Sequence, residues 1–120
     1  MKINIDDFRN RDDFVVKENE EFILIHSSQS KDKWEVDELK YRSIMCDKEG
    51  NIVSSGFPKF FNYGEYAPND DLINNAVNSG HKIFIRDKKD GVLIIRSVIN
   101  GKVHWRTRNN LSSLCSAKNI

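Results

Sequence analysis

A lysine amine, a carboxylate and a glycine stand together at Lys88, Asp90 and Gly91, inside the run Asp87-Lys88-Lys89-Asp90-Gly91. An unprotonated lysine is a good nucleophile, and burial or neighbouring positive charge favours loss of its proton. Lys89 and Arg86 are the cations in sequence reach. Asp90, two residues on, shares a side with Lys88 if the backbone is extended, and there it can orient the amine. Gly91 leaves room for a ligand or a second backbone to come close. The same five residues also fit a solvated hairpin corner, so the neighbouring elements have to decide between the two.

Those elements are short and apolar. Lys82 to Arg86, carrying Ile83-Phe84-Ile85, reads as a strand entering the lysine run. Val92 to Ile99 leaves it and forms a hairpin with Lys102 to Arg108 through Asn100-Gly101, a pair that suits a tight type I′ turn. The second strand alternates, with Val103, Trp105 and Thr107 on one face. Lys102, His104, Arg106 and Arg108 lie on the other, a basic face open to water, phosphates or RNA. Upstream, a short element is expected near Phe14–Lys17. The apolar run Phe22-Ile23-Leu24-Ile25 reads as a strand buried on both faces, and Gln29 to Lys33 as a polar loop. Trp34, Val36 and Leu39 fit a short helical turn. Tyr41 to Cys46 and Asn51 to Ser54 flank Asp47-Lys48-Glu49-Gly50, a second hairpin signal. Pro68 and Asn69 open the best helix, with Asn69 as cap and Gly80 as terminator. Leu72, Ile73, Ala76 and Val77 share one of its faces. The fold class expected is α+β, mainly antiparallel hairpins with one clear helix.

At 120 residues the chain suits a single domain, spanning 1–120. Charged residues make up 31% and hydrophobic ones 38%, a balance that excludes a disordered or membrane-embedded class. The formal net charge is +1, so affinity for anions has to come from local patches. Met1 to Asp7 lacks the apolar core of a leader peptide, and no run reaches membrane-spanning length, so a cytoplasmic location is expected. Cys46 and Cys115 have no metal-ligand spacing and read as free thiols, and His26, His81 and His104 form no ligand pattern. No metal site is expected from the protein side chains.

Taken in order, Arg42-Ser43-Ile44-Met45, Lys59-Phe60-Phe61-Asn62-Tyr63-Gly64-Glu65, Lys88-Lys89-Asp90-Gly91 and Thr107-Arg108 resemble the N-terminal part of the phage-type RNA ligase 1 family. That family belongs to the covalent nucleotidyltransferases, and the resemblance runs from about Leu39 to Asn109. It implies an ATP-dependent RNA ligase with Lys88 as the catalytic nucleophile. The lysine takes AMP from ATP and releases pyrophosphate. The AMP then passes to an RNA 5′-phosphate, and a 3′-hydroxyl displaces it to seal the strand. Arg42, Lys59, Phe61, Asp90, Gly91 and Arg108 become the nucleotide-binding positions, with ATP and magnesium as implied cofactors and RNA as implied partner. Read on their own surroundings, Phe61 suits core packing and Lys59 suits a stem lying over Phe60 or Phe61 with its head in water.

The chain departs from the family pattern at several points. Ser43 stands where glycine is usual, Ser54-Ser55-Gly56 where Ser-Arg-Pro is usual, Val92 where serine follows Asp-Gly, and Asn109 where glycine follows the Thr-Arg pair. The family's later acidic-aromatic, Glu-Gly and Lys-x-Lys segments are absent. The expectation is half of a nucleotidyltransferase domain, with a missing C-terminal half or a second chain to complete it. Two other classes stand beside the ligase: an inactive remnant that binds nucleotide or RNA, and a small structural or interaction protein.

Overall fold

The computed structural model describes residues 2–111, and Cys115 lies outside them. They divide into two compact units. Of the described residues, one unit is built from 2–59 and 92–111, the other from the intervening residues 60–91.

The first unit is a four-stranded antiparallel sheet in the order β1-β2-β3-β4, with a separate hairpin β5-β6. The strands are β1 (Phe14–Glu18), β2 (Phe22–Ser27), β3 (Ser43–Asp47), β4 (Ile52–Ser55), β5 (Ile95–Ile99) and β6 (Lys102–Arg106). A one-turn helix α1 (Asp6–Arg9) precedes β1, and a 3₁₀ helix (Val36–Arg42) runs directly into β3. The unbroken apolar run of β2 has a simple cause, because both of its faces are covered. Ile25 points into a cluster with Ile3, Phe8, Phe14, Ile44 and Cys46. Leu24 points the other way, into a cluster with Met45 and Ile99. Register pairs Ile25 with Ile44 and Leu24 with Met45, so successive residues of two central strands feed alternate layers. Cys46 is a free, buried thiol, and burial pushes its pKa up to about 11.

The turn between β3 and β4 follows from Asp47. Its carboxylate accepts the backbone N–H groups of Glu49 and Asn51 at 3.0 and 2.9 Å. Gly50 then turns at φ +93°, and its carbonyl accepts the Ile3 N–H at 2.9 Å. A Cβ at Gly50 would lie 2.5 Å from the Ile3 carbonyl oxygen, so the N-terminal segment can cross here only over glycine. Gly50→Ala should therefore lower stability by about 1–3 kcal/mol, read from the urea unfolding midpoint. An unchanged midpoint would show that the N-terminal segment is not held over this turn.

Ion pairs fasten the link between α1 and β1 to Lys31 and to the 3₁₀ helix. Lys31 Nζ, its side chain only 2% exposed, sits 2.7 Å from Asp13 Oδ2 and 3.2 Å from Glu38 Oε1. It also lies over the rings of Phe14 and Trp34 at 4.9 and 4.8 Å. Arg11 bridges the same two carboxylates at 2.6 Å each. The stretch Gln29 to Lys33, read as a polar loop, thus carries a buried cation.

In the second unit, helix α2 (Ala67–Asn78) starts one turn earlier than the sequence suggests. Tyr66 occupies the cap position, Pro68 lies in the first turn, and Asn69 lies inside the helix rather than capping it. The C-terminal end is as expected: His81 N–H reaches the Ala76 carbonyl and Gly80 N–H the Val77 carbonyl, a Schellman closure. Leu72, Ile73 and Val77 are 70%, 40% and 50% exposed. The strand expected at Lys82–Arg86 does not form; residues 81–90 are exposed and make no ladder. An apolar triplet flanked by charge is not enough, because a strand requires a partner edge. β5 likewise begins at Ile95 rather than Val92, and β6 ends at Arg106 rather than Arg108. The Asn100-Gly101 turn is as expected, with φ of 50° and 80°. The architecture is α+β and dominated by antiparallel hairpins. Among the described residues no helix is long and apolar enough to cross a membrane.

Candidate functional site

The candidate residues fall in both units. Arg42, Lys59 and Arg108 belong to the first, and Phe61, Lys88, Asp90 and Gly91 to the second.

In the second unit the aromatic string is tied to the start of α2. Phe61 stacks on Tyr66 with ring centroids 4.3 Å apart, Tyr63 donates its hydroxyl hydrogen to Asn74 at 3.0 Å, and Asp70 accepts the Gly64 N–H at 3.0 Å. Phe61 is half-buried, with a ring partner from its own unit. Lys88, Asp90 and Gly91 are exposed, and Gly91 has φ +137° with open space where a Cβ would be.

In the first unit the sequence places Arg42 at the end of the 3₁₀ helix, immediately before β3. The same helix holds Lys59, whose backbone N–H donates to the Leu39 carbonyl at 2.8 Å. Arg108 follows β6 and donates from Nη1 to the carbonyl and hydroxyl oxygens of Ser27 at 3.2 and 3.0 Å. Burial first, and then the nearby charge of Arg42, hold the Arg108 guanidinium below its ordinary value. Arg42 and Arg108, 66 positions apart in the chain, are therefore electrostatic neighbours. Lys17 Nζ, donating to the Asn109 carbonyl at 2.7 Å, completes the anchoring of the segment after β6.

One residue overturns an expectation. The face of β6 carrying Lys102, Arg106 and Arg108 was expected to be a basic face open to water or RNA, but Arg106 is 2% exposed. Around Arg106 this face turns inward, while Lys102 at its start is exposed. His104 meets Phe22 edge-on at 5.3 Å, and Arg106 reaches Ser54 Oγ from Nε at 3.0 Å and Ser43 Oγ from Nη1 at 2.6 Å. Alternation reveals which residues share a face, not which face is covered. The hydroxyls that receive Arg106 come from two strands remote in sequence, which left no local signal. Beside them, His26 is buried and held below its usual pKa by that burial, with Nδ1 against the Ser27 carbonyl at 2.9 Å.

Chemically, the first unit offers paired guanidiniums and a lysine for phosphate oxygens, and the second offers an amine, a carboxylate and a stacked aromatic pair. Among the described residues no group of three or more His, Cys, Asp or Glu side chains is placed to hold a metal ion. These residues alone therefore do not cage the magnesium that the resemblance implies.

No curated protein and no solved structure matches the chain. The model of one family, described as RNA ligase, matches residues 40–119, which include both guanidiniums, the aromatic string and the Lys-x-Asp-Gly run. With 80 of its 120 residues in that match, the chain belongs to the RNA ligase family.

Proposed function

We propose that this chain is the N-terminal part of the nucleotidyltransferase domain of an ATP-dependent RNA ligase, with Lys88 as the nucleophile. The Lys88 amine attacks the α-phosphorus of ATP, a P–N bond forms, the bond to pyrophosphate breaks, and the amine proton leaves to solvent. The AMP then goes to an RNA 5′-phosphate, and a 3′-hydroxyl displaces it as the strand is sealed. In this reading Arg42, Lys59 and Arg108 bind phosphate oxygens, Phe61 lies by the base, Asp90 orients the amine or ribose, and Gly91 clears space for the nucleotide.

The observation carrying the proposal is the Arg42–Arg108 pair. Two like charges are brought together from distant segments, and each of the Arg108 side-chain contacts is to a neutral oxygen of Ser27. An anion such as a phosphate would be drawn to two guanidiniums placed near each other. Pyrophosphate and ATP should bind weakly, with affinity falling as salt rises, and Arg108→Ala should reduce it about tenfold or more. Isothermal titration in low and high salt checks this. Binding that ignores both salt and Arg108 would remove the phosphate role. A nucleotide- or RNA-binding remnant is the second reading, favoured by the full exposure of the lysine run.

A further inference from the structure

Arg106 is costly as it stands. Its guanidinium is buried, Nη2 has no hydrogen-bond partner, and no carboxylate faces it among the described residues. Burial alone pushes its pKa down to about 10, so it stays charged at neutral pH. Burying a cation with no opposite charge beside it is unfavourable unless its hydrogen bonds offset the lost hydration. Core packing therefore gives no reason for an arginine here, whereas its hydrogen bonds do.

We propose that Arg106 and Ser43 form a buried bracket that sets the position of Arg108, and with it the Arg42–Arg108 pair. The inference rests on the phosphate reading of that pair for its purpose, but not for its geometry. Arg106 Nη1 donates to Ser43 Oγ at 2.6 Å, and the Ser43 hydroxyl donates onward to the Arg108 carbonyl at 2.8 Å. A hydroxyl can accept and donate at once, so both contacts are satisfied together. Arg106 Nη1 also donates to its neighbour Thr107's carbonyl at 3.2 Å, which fixes the peptide leading to Arg108. The other arm is braced by Ser54, whose Oγ accepts Arg106 Nε at 3.0 Å and lies 2.6 Å from Ser97 Oγ. Ser43 directly follows Arg42, so one serine is joined to both guanidinium-bearing residues, covalently on one side and by hydrogen bond on the other.

The neutrality of these partners has a purpose. A carboxylate at position 43 or 54 would hold Arg106 more tightly, but it would also cancel part of the positive field at Arg108. Serine hydroxyls satisfy N–H groups and leave the charge in place. Ser43 also stands where the family pattern has glycine, which cannot make either contact.

The test uses the 15N-labelled 120-residue chain and reads the arginine Nε–H signals of Arg106 and Arg108 by NMR, with pyrophosphate titration alongside. In Ser43→Ala, Ser43→Gly and Arg106→Lys, the Arg108 signal should move toward that of a free arginine, while Ser43→Thr should keep it. Pyrophosphate affinity should fall about tenfold in each of the first three, with no further loss when Ser43→Ala and Arg106→Lys are combined. An unmoved Arg108 signal in Ser43→Ala with native circular dichroism would overturn the bracket, as would losses that simply add in the double variant. Should Arg106→Lys fail to fold, the serine variants still decide. A wild-type chain that binds no pyrophosphate would remove the phosphate reading, while the Arg108 signal would still decide the bracket.

Discussion

Incubated with α-labelled ATP and magnesium or manganese, the 120-residue chain is expected to carry no covalent AMP after denaturing electrophoresis. Attack by Lys88 requires an unprotonated amine, a neutralised triphosphate, and donors for the charge that builds on departing pyrophosphate. The chain supplies Lys88 itself, exposed in a run without ladder pairing, and the guanidiniums of the other unit. It supplies no carboxylate cluster for a metal among the described residues. Each preorganised donor that is wanting costs about 3–4 kcal/mol, a hundred- to a thousand-fold in rate, so two or three of them take the reaction below detection. Labelling should appear when a chain carrying Glu-Gly and Lys-x-Lys segments is added in trans, and Lys88→Ala should abolish it. An adduct on the 120 residues alone that vanishes in Lys88→Ala would show that they suffice for the first step. An adduct that survives the substitution would sink Lys88 as nucleophile and make Lys89 the next to test.

Lys31→Ala should weaken the fold by about 3 kcal/mol, read by urea denaturation. The lysine is buried between Asp13 and Glu38, and its removal leaves the Asp13 carboxylate with Arg11 and the Glu38 carboxylate with Arg11 and the Glu35 N–H. Lys31→Met, which keeps the stem against Phe14 and Trp34, should recover part of the loss. The same cluster predicts an acid dependence. Hydrogen bonding from Arg11, followed by that from Lys31, holds Asp13 at about 2 against an ordinary 3.8. A depressed carboxylate stabilises the fold above its unfolded value, and that stability is lost as pH falls from about 4 through 2. The part due to Asp13 is about 2 kcal/mol and should be missing from the pH profile of Asp13→Asn. A wild-type profile that is flat over this window would show that the cluster does not hold the segment before β1 to the 3₁₀ helix.

Local signals were legible wherever the physics is local. The Asp47–Gly50 turn, the Asn100-Gly101 hairpin and the Gly80 helix stop each depend on a few adjacent residues, and each stands where the sequence places it. The doubly buried β2 was legible because an unbroken apolar run needs cover on both sides. What failed depends on distant partners. Ile83-Phe84-Ile85 has strand composition but no edge to join. The inward turn of Arg106 depends on serines 52 and 63 residues away, and the burial of Lys31 on an acid 18 residues back. Of the candidate site, the residue types and their order could be read, along with the resemblance they carry. The Arg42–Arg108 proximity and the bracket behind it arise only when β3 and the end of β6 come together.

The exposed stretch around Lys88 also bears on how long the protein survives. Lys82, Arg86, Lys88 and Lys89 lie within eight residues of backbone that no neighbouring strand holds. A trypsin-like protease binds its substrate as an extended chain and cuts after basic residues, so this stretch is open to cleavage. Ile83, Phe84 and Ile85, at 56%, 68% and 95% exposed, add the kind of apolar surface that quality-control machinery grips. A nucleotide seated on Lys88 would shield that segment. Occupancy and turnover would then be linked, with idle copies removed from the cell faster than engaged ones.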